Sequence, residues 1–128
     1  MRNTAKLLST VASVAALLGS LTMVAAPTAI AADEQKKLTP VEEGKKIAFD
    51  RKKGNCLACH QIEDGALPGN MGPPLVAMKA RFPNKDRLRA QIHDPTQFNP
   101  GSAMPPFGKH KILSEDEVNK VVEYIHTL

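Results

Sequence analysis

The chain has 128 residues, 42% of them hydrophobic and 23% charged, with a formal net charge of +4. This length sets one small domain as the expectation and excludes a large multidomain enzyme, while two cysteines are too few for a multi-bridge disulfide scaffold. Four phenylalanines, one tyrosine and no tryptophan supply little core bulk, so a filler other than side chains is expected at the centre.

Arg2 and Lys6 precede or flank the start of an uncharged stretch over residues 7–32 that is rich in leucine, valine and alanine. A positive start, an apolar middle and the small-x-small site Ala29-Ile30-Ala31 read as a secretory signal peptide cleaved after Ala31. The stretch is long enough to span a bilayer, but Gly19, Pro27 and several serines and threonines dilute it, so cleavage is preferred to an uncleaved anchor. The expected division is a cleaved leader over 1–31 and one domain over 32–128, exported to the periplasm. The leader holds two basic residues and no acidic ones, so its loss lowers the net charge from +4 to +2. No clustered basic stripe with stacking aromatics remains, which excludes a general nucleic-acid binder.

Thr39-Pro40-Val41-Glu42 predicts a helix start, with threonine as cap, proline in the first turn and Glu42 as capping-box partner. Val41, Gly44, Ile47 and Ala48 share one face of a helix expected from residue 40 to about 52, and Gly44 lets a second helix approach closely. Gly65, Pro68, Gly69, Gly72, Pro73 and Pro74 make residues 61–74 a loop. A short helical piece is expected over 75–80. A longer one follows over 84–93, with Leu88 and Ile92 inward and Pro95 ending it. Residues 95–108 return to loop. Ser114 and Glu117 form a second capping box, Leu113 and Val118 stand at staple spacing, and Val118, Val121, Val122 and Ile125 repeat at helical spacing as core. His126 is expected at the surface. No segment alternates with period two for long, so the fold class is all-α, with the terminal helices packed together and long loops between them.

Cys56-Leu57-Ala58-Cys59-His60 is the strong chemical signal. Two thiols at this spacing, followed at once by histidine, fit covalent attachment of c-type haem. The thiols form thioethers to the two vinyl groups on one porphyrin edge, and His60 lies beneath the iron. A large flat apolar cofactor also replaces the missing aromatic bulk. Three other chemistries compete. A thioredoxin-like dithiol expects a sheet. A structural zinc site needs four ligands, which His93, His110 and His126 would have to complete. A plain disulfide leaves His60 a coincidence.

The second axial ligand has to come from farther along the chain. Met71 follows the motif in a tight loop, from which the opposite haem face is a strained reach. Met78 stands among Leu75, Val76 and Ala77, where packing is the ordinary expectation. Met104 is followed by Pro105 and Pro106, which stiffen its loop enough to hold a weak thioether against iron. Met104 is the choice, with His93 and His110 kept as alternatives. Histidine–methionine ligation raises the reduction potential and leaves no open position for substrate, which points to electron transfer and to no catalytic residue in this chain.

Several strings carry a family resemblance: Gly54-Asn55-Cys56 through His60, Gly72-Pro73-Pro74-Leu75, Arg81-Phe82-Pro83 and Met104-Pro105-Pro106-Phe107-Gly108. Ile112-Leu113-Ser114 and Val121-Val122-Glu123-Tyr124-Ile125 extend it. Residues 32–128 resemble the class I c-type cytochromes and, among them, the SoxX family, monohaem subunits of the SoxAX complex of bacterial sulfur oxidation. The resemblance implies the class I cytochrome c fold, one covalent haem c on Cys56 and Cys59, and His60 and Met104 as iron ligands. It also implies that the Pro73 carbonyl accepts a hydrogen bond from His60 Nδ1. The implied partners are a SoxA-like cytochrome in a heterodimer, a SoxYZ-like carrier whose cysteine receives thiosulfate (L-cysteine S-thiosulfotransferase chemistry), and a downstream small cytochrome c. With both cysteines taken by haem, no thiol is left here to carry sulfur, so the implied role is electron removal. Rival functions are a free diffusing carrier and a cytochrome subunit of another periplasmic enzyme such as a sulfite dehydrogenase. Residues 79–111 carry seven basic and two acidic residues, a local +5 that can steer an acidic partner.

Overall fold

The computed structural model describes residues 37–128, and the leader expected over 1–31 lies outside them. Four α-helices occupy the described residues: α1 (Pro40–Phe49), α2 (Met78–Arg81), α3 (Lys85–His93) and α4 (Glu115–Ile125). Short 3-10 turns stand at Cys56–Ala58 and Pro95–Gln97, and there is no strand among the described residues. No helix among them is long and apolar enough to cross a membrane.

Both terminal helices begin with the capping boxes that the sequence predicts. Thr39 Oγ1 accepts from Glu42 N at 3.3 Å, while the Glu42 carboxylate accepts from Thr39 N at 2.7 Å. Ser114 and Glu117 repeat the arrangement at 3.3 and 3.0 Å. Each box satisfies N–H groups at the helix start that have no intrahelical partner. α1 stops at Phe49, short of the expected residue 52. Asp50 leaves the helix extended, with ψ at 117°, and its carboxylate accepts from Lys52 N at 2.8 Å. Gly54 N then returns to the Ile47 carbonyl at 3.1 Å. The early stop reverses the chain and feeds it straight into the cysteine motif.

α1 and α4 pack on each other at Gly44, where a Cβ would overlap the Lys120 carbonyl. Phe49 and Tyr124 meet edge to face with ring centroids 6.2 Å apart. Lys120 Nζ reaches Glu43 across the seam at 2.6 Å and Asp116 within α4 at 2.5 Å. Ile47, Ala48, Leu113, Val118, Val121, Val122 and Ile125 are buried. A fully buried aliphatic side chain contributes about 1.5–3 kcal/mol, against ~0–1 kcal/mol for an exposed ion pair. The apolar seam therefore holds the helices, and the charges decorate it.

The middle of the chain differs in detail from expectation. α2 begins at Met78, not residue 75, because Ala77 lies in the left-handed region (φ 52°) and breaks the helical path. Asn84 caps α3 from outside, accepting from Asp86 N at 2.7 Å. His126 is half-buried rather than superficial, since its Nε2–H donates to the Phe82 carbonyl at 3.1 Å. Together with Met78 N donating to the Leu128 carbonyl at 2.7 Å, this fastens α2 to the segment after α4.

Candidate functional site

A cavity of about 560 Å³ opens between the cysteine motif, α2, α3, the Met104 loop and α4. Leu75, Phe82, Ile92, Phe107, Leu113 and Val121 give it a predominantly apolar wall. This is the space that the aromatic-poor composition leaves unfilled.

Cys56, Cys59 and His60 all border the cavity. Asn55 enters the motif at φ 45°, a left-handed conformation that asparagine tolerates. The 3-10 turn follows, with Cys59 N and His60 N donating to the Cys56 carbonyl at 3.2 and 2.9 Å. The two cysteines are not joined in a disulfide. Before haem attachment, burial pushes the Cys56 thiol up to about 11.

His60 Nδ1 lies 2.7 Å from the Pro73 carbonyl oxygen. A carbonyl only accepts, so Nδ1 donates and Nε2 keeps its lone pair for a metal. Gly72 is required beside it, because a Cβ would run into the imidazole ring. Backbone bonds also stitch the loop carrying Pro73 to the motif and the residue after it: Gly69 N to the Leu57 carbonyl at 2.7 Å, Gly72 N to Cys59 at 2.8 Å, and Leu75 N to Gln61 at 2.8 Å. Arg81 Nη1 adds a bond to the Pro74 carbonyl at 2.8 Å.

Three methionines border the same cavity: Met71, Met78 and Met104. Met71 is 74% exposed, whereas Met78 is buried with its Sδ accepting from Arg81 Nη1 at 3.4 Å. Met104 is half-buried, and its N–H donates to Ser102 Oγ at 3.2 Å. His93, His110 and His126 stand outside the cavity wall. His93 Nε2 faces Glu115 at 3.2 Å, His110 is exposed, and His126 is held by Phe82. No group of three or more His, Cys, Asp or Glu among the described residues is arranged to hold a metal ion, so the zinc alternative has no ligand set. The absence of a sheet among those residues removes the thioredoxin-like one.

Asp94 is a buried carboxylate that the sequence reading passes over. It accepts from Thr96 Oγ1 at 2.5 Å and pairs with Lys109 Nζ at 2.9 Å. Thr96, then Lys109, hold its carboxyl well below the usual range, down to about 2. Its signal was the string Asp94-Pro95-Thr96, in which an aspartate side chain caps a proline-initiated turn.

Haem fits the site on three counts of the structure. An apolar cavity borders both thiols, the adjacent imidazole presents an unprotonated Nε2, and a thioether donor lies in the same wall.

Residues 40–125 match the family model of cytochrome c oxidase, cbb3-type, subunit III. The chain is 34% identical over 76 residues to an uncharacterized lipoprotein of Aquifex aeolicus, covering 59% of this chain and 37% of that protein. It is 31% identical over 87 residues to cytochrome c oxidase subunit 2 of Bacillus subtilis, covering 60% of this chain and 24% of that protein. It thus spans well under half the length of these curated relatives. A chain in the crystal structure of SoxXA from P. pantotrophus matches with a TM-score of 0.62 at 28% identity, covering 68% of this chain and 80% of that one. Since the family match runs through all four helices, this chain belongs to the cbb3-type oxidase subunit III family: it is a class I c-type cytochrome, an electron-transfer protein with covalently bound haem c.

Proposed function

We propose that this chain is the electron-accepting, SoxX-like subunit of a periplasmic complex that oxidatively joins thiosulfate to a carrier cysteine. The likeness to a chain of SoxXA, which reaches 80% of that chain at 28% identity, is the observation that carries this assignment. Residues 1–31 serve as the cleaved export leader and 32–128 as the mature cytochrome domain.

In this proposal Cys56 and Cys59 would hold the haem by thioethers, and His60 and Met104 would supply the nitrogen and sulfur donors to its iron. When bound, the haem supplies a one-electron couple. The chain supplies everything around it. The Pro73 carbonyl accepts a hydrogen bond from His60 Nδ1 at 2.7 Å, fixing the ring and raising its basicity. Met104 offers a soft, uncharged sulfur, which favours the reduced metal and raises the potential relative to a second histidine. The apolar wall from α2, α3 and α4 excludes water. With His60 and Met104 as donors to the iron and no cysteine in the sequence beyond the two of the motif, sulfur chemistry would fall to a partner. Joining thiosulfate to a thiol makes one S–S bond and releases two electrons and one proton. A SoxA-like subunit makes that bond on a SoxYZ-like carrier, and this chain takes the electrons singly and passes them to a small cytochrome c.

Reconstitution tests the assignment. The holoprotein is mixed with a SoxA-like partner, a SoxYZ-like carrier and thiosulfate, and each component is omitted in turn. The expected result is a stable heterodimer, cytochrome reduction, and a carrier mass increased by one thiosulfate. Equal turnover without this chain, or no binding to the partner, overturns it. Likenesses to two oxidase subunits favour a second reading, a cytochrome domain that delivers electrons to a terminal oxidase. Oxidation by such an oxidase without any response to the thiosulfate system would select that one.

A further inference from the structure

A thioether is a weak iron donor, so whatever fixes the Met104 loop decides how firmly the sulfur stays in place. Near Met104 the loop is held by short-range bonds, Met104 N to Ser102 Oγ at 3.2 Å and Ser102 N to the Asn99 carbonyl at 2.9 Å, and by packing of Met104 on the core. Its longer-range anchorage lies farther on. Gly108 N and Lys109 N both donate to the His93 carbonyl at 3.1 Å, at the C-terminal end of α3. Gly108 lacks the Cβ that would overlap the His93 ring, which is what allows this approach. One residue beyond His93 is Asp94, 5% exposed. One of its oxygens pairs with Lys109 Nζ at 2.9 Å, and the other accepts from Thr96 N and Oγ1. Between Met104 and this anchorage stand Pro105, Pro106 and the buried Phe107, a span too stiff to absorb a displacement.

We infer that Asp94 is a positioning residue for the distal ligand: through Lys109 it latches the Met104 loop to the end of α3. This role rests on the Met104 ligation proposed above. The pair is unlike the exposed bridges elsewhere, because the carboxylate is buried and losing Lys109 leaves that charge without its cation. Thr96 still caps Asp94 when Lys109 is gone, so a Lys109 variant separates the latch from the local turn.

The test is an imidazole titration of the oxidised holoprotein, read by the weak long-wavelength band of a sulfur–iron bond and accompanied by midpoint potentials. Imidazole binds only when the loop is open, so its apparent affinity scales with the open fraction. Asp94→Asn and Lys109→Met are expected to bind it about tenfold more tightly than the unaltered protein and to have lower potentials. Lys109→Arg is expected to retain the original behaviour, as is Lys85→Met, whose bridge to Glu123 lies on the α3–α4 surface. Met104→Ala is expected to lack the band and bind imidazole without competition. Unchanged affinity in Lys109→Met, with the band gone in Met104→Ala, overturns the latch and leaves the ligand assignment standing. A band that survives in Met104→Ala overturns the ligand assignment, and the latch with it. Should Asp94→Asn fail to fold, Lys109→Met alone decides, since that lysine is half exposed.

Discussion

The His60 side and the Met104 side of this cavity are fastened over different ranges of the chain. Around His60 the fastenings are local: a 3-10 turn, backbone bonds among residues 57–75, and a glycine pressed against the ring. Around Met104 they are distant, and side chains reinforce the backbone bonds from Gly108 and Lys109 to the His93 carbonyl: Lys109 pairs with Asp94, His93 faces Glu115, and Phe107 is sunk into the core. Backbone fastenings tolerate most substitutions, because every residue but proline carries the same N–H and C=O. Side-chain fastenings can be adjusted one residue at a time. With His60 and Met104 as the proposed iron ligands, the imidazole would be the fixed donor and the thioether the adjustable one, so the potential could be tuned at one end while the cofactor stays anchored at the other.

The strongest way to break the anchored side is to remove its covalent part. Cys56→Ala combined with Cys59→Ala is expected to lose covalent haem entirely. Acid–acetone should then extract all of the cofactor, whereas the unaltered protein keeps it in the precipitate.

Next in size is the glycine beneath the ring. Gly72→Ala forces a Cβ into the His60 imidazole and is expected to cost about 1–3 kcal/mol in denaturant unfolding, as overpacking does. Gly101→Ala is the matched control, because the nearest atom lies 3.7 Å from its added Cβ and the stability should hardly move.

The adjustable side carries a pH signature. Asp94 titrates at about 2 in the folded protein against about 3.9 in an unfolded chain. A lowered folded value means that the unfolded chain takes up the proton first. The stabilisation is thus complete above about pH 4 and lost as pH falls toward 2. Acid unfolding followed by circular dichroism should therefore show a shallower decline over that window in Asp94→Asn than in the unaltered protein. The smallest expected effect is at Met71, which borders the cavity but is 74% exposed. Met71→Ala should leave both the sulfur–iron band and the potential in place.

The same contrast explains what could be read before the structure. The cysteine motif, both capping boxes and the α4 core stripe are short-range patterns, and each stands where the sequence places it. The end of α1 did not follow from the pattern, because Asp50 competes for the Lys52 N–H and turns the chain early. The start of α2 was hidden because nothing in an alanine announces a left-handed conformation. His126 looked superficial because its partner, the Phe82 carbonyl, is remote in sequence. Among the distal candidates, sequence could rank Met71, Met78, Met104, His93 and His110 only by loop stiffness and local neighbours. The Asp94–Lys109 pair that anchors the segment after Met104 spans two turns and a double proline, and only the folded chain brings the two residues together.

The most direct measurement is the visible spectrum and midpoint potential of the oxidised holoprotein beside Met104→Ala, Met71→Ala and His93→Ala. A histidine–methionine cytochrome predicts that the unaltered protein has the weak sulfur–iron band, that Met104→Ala alone loses it with a fall in potential, and that the other two keep it. Loss of the native spectrum in His93→Ala with the band intact in Met104→Ala would contradict the account at its centre.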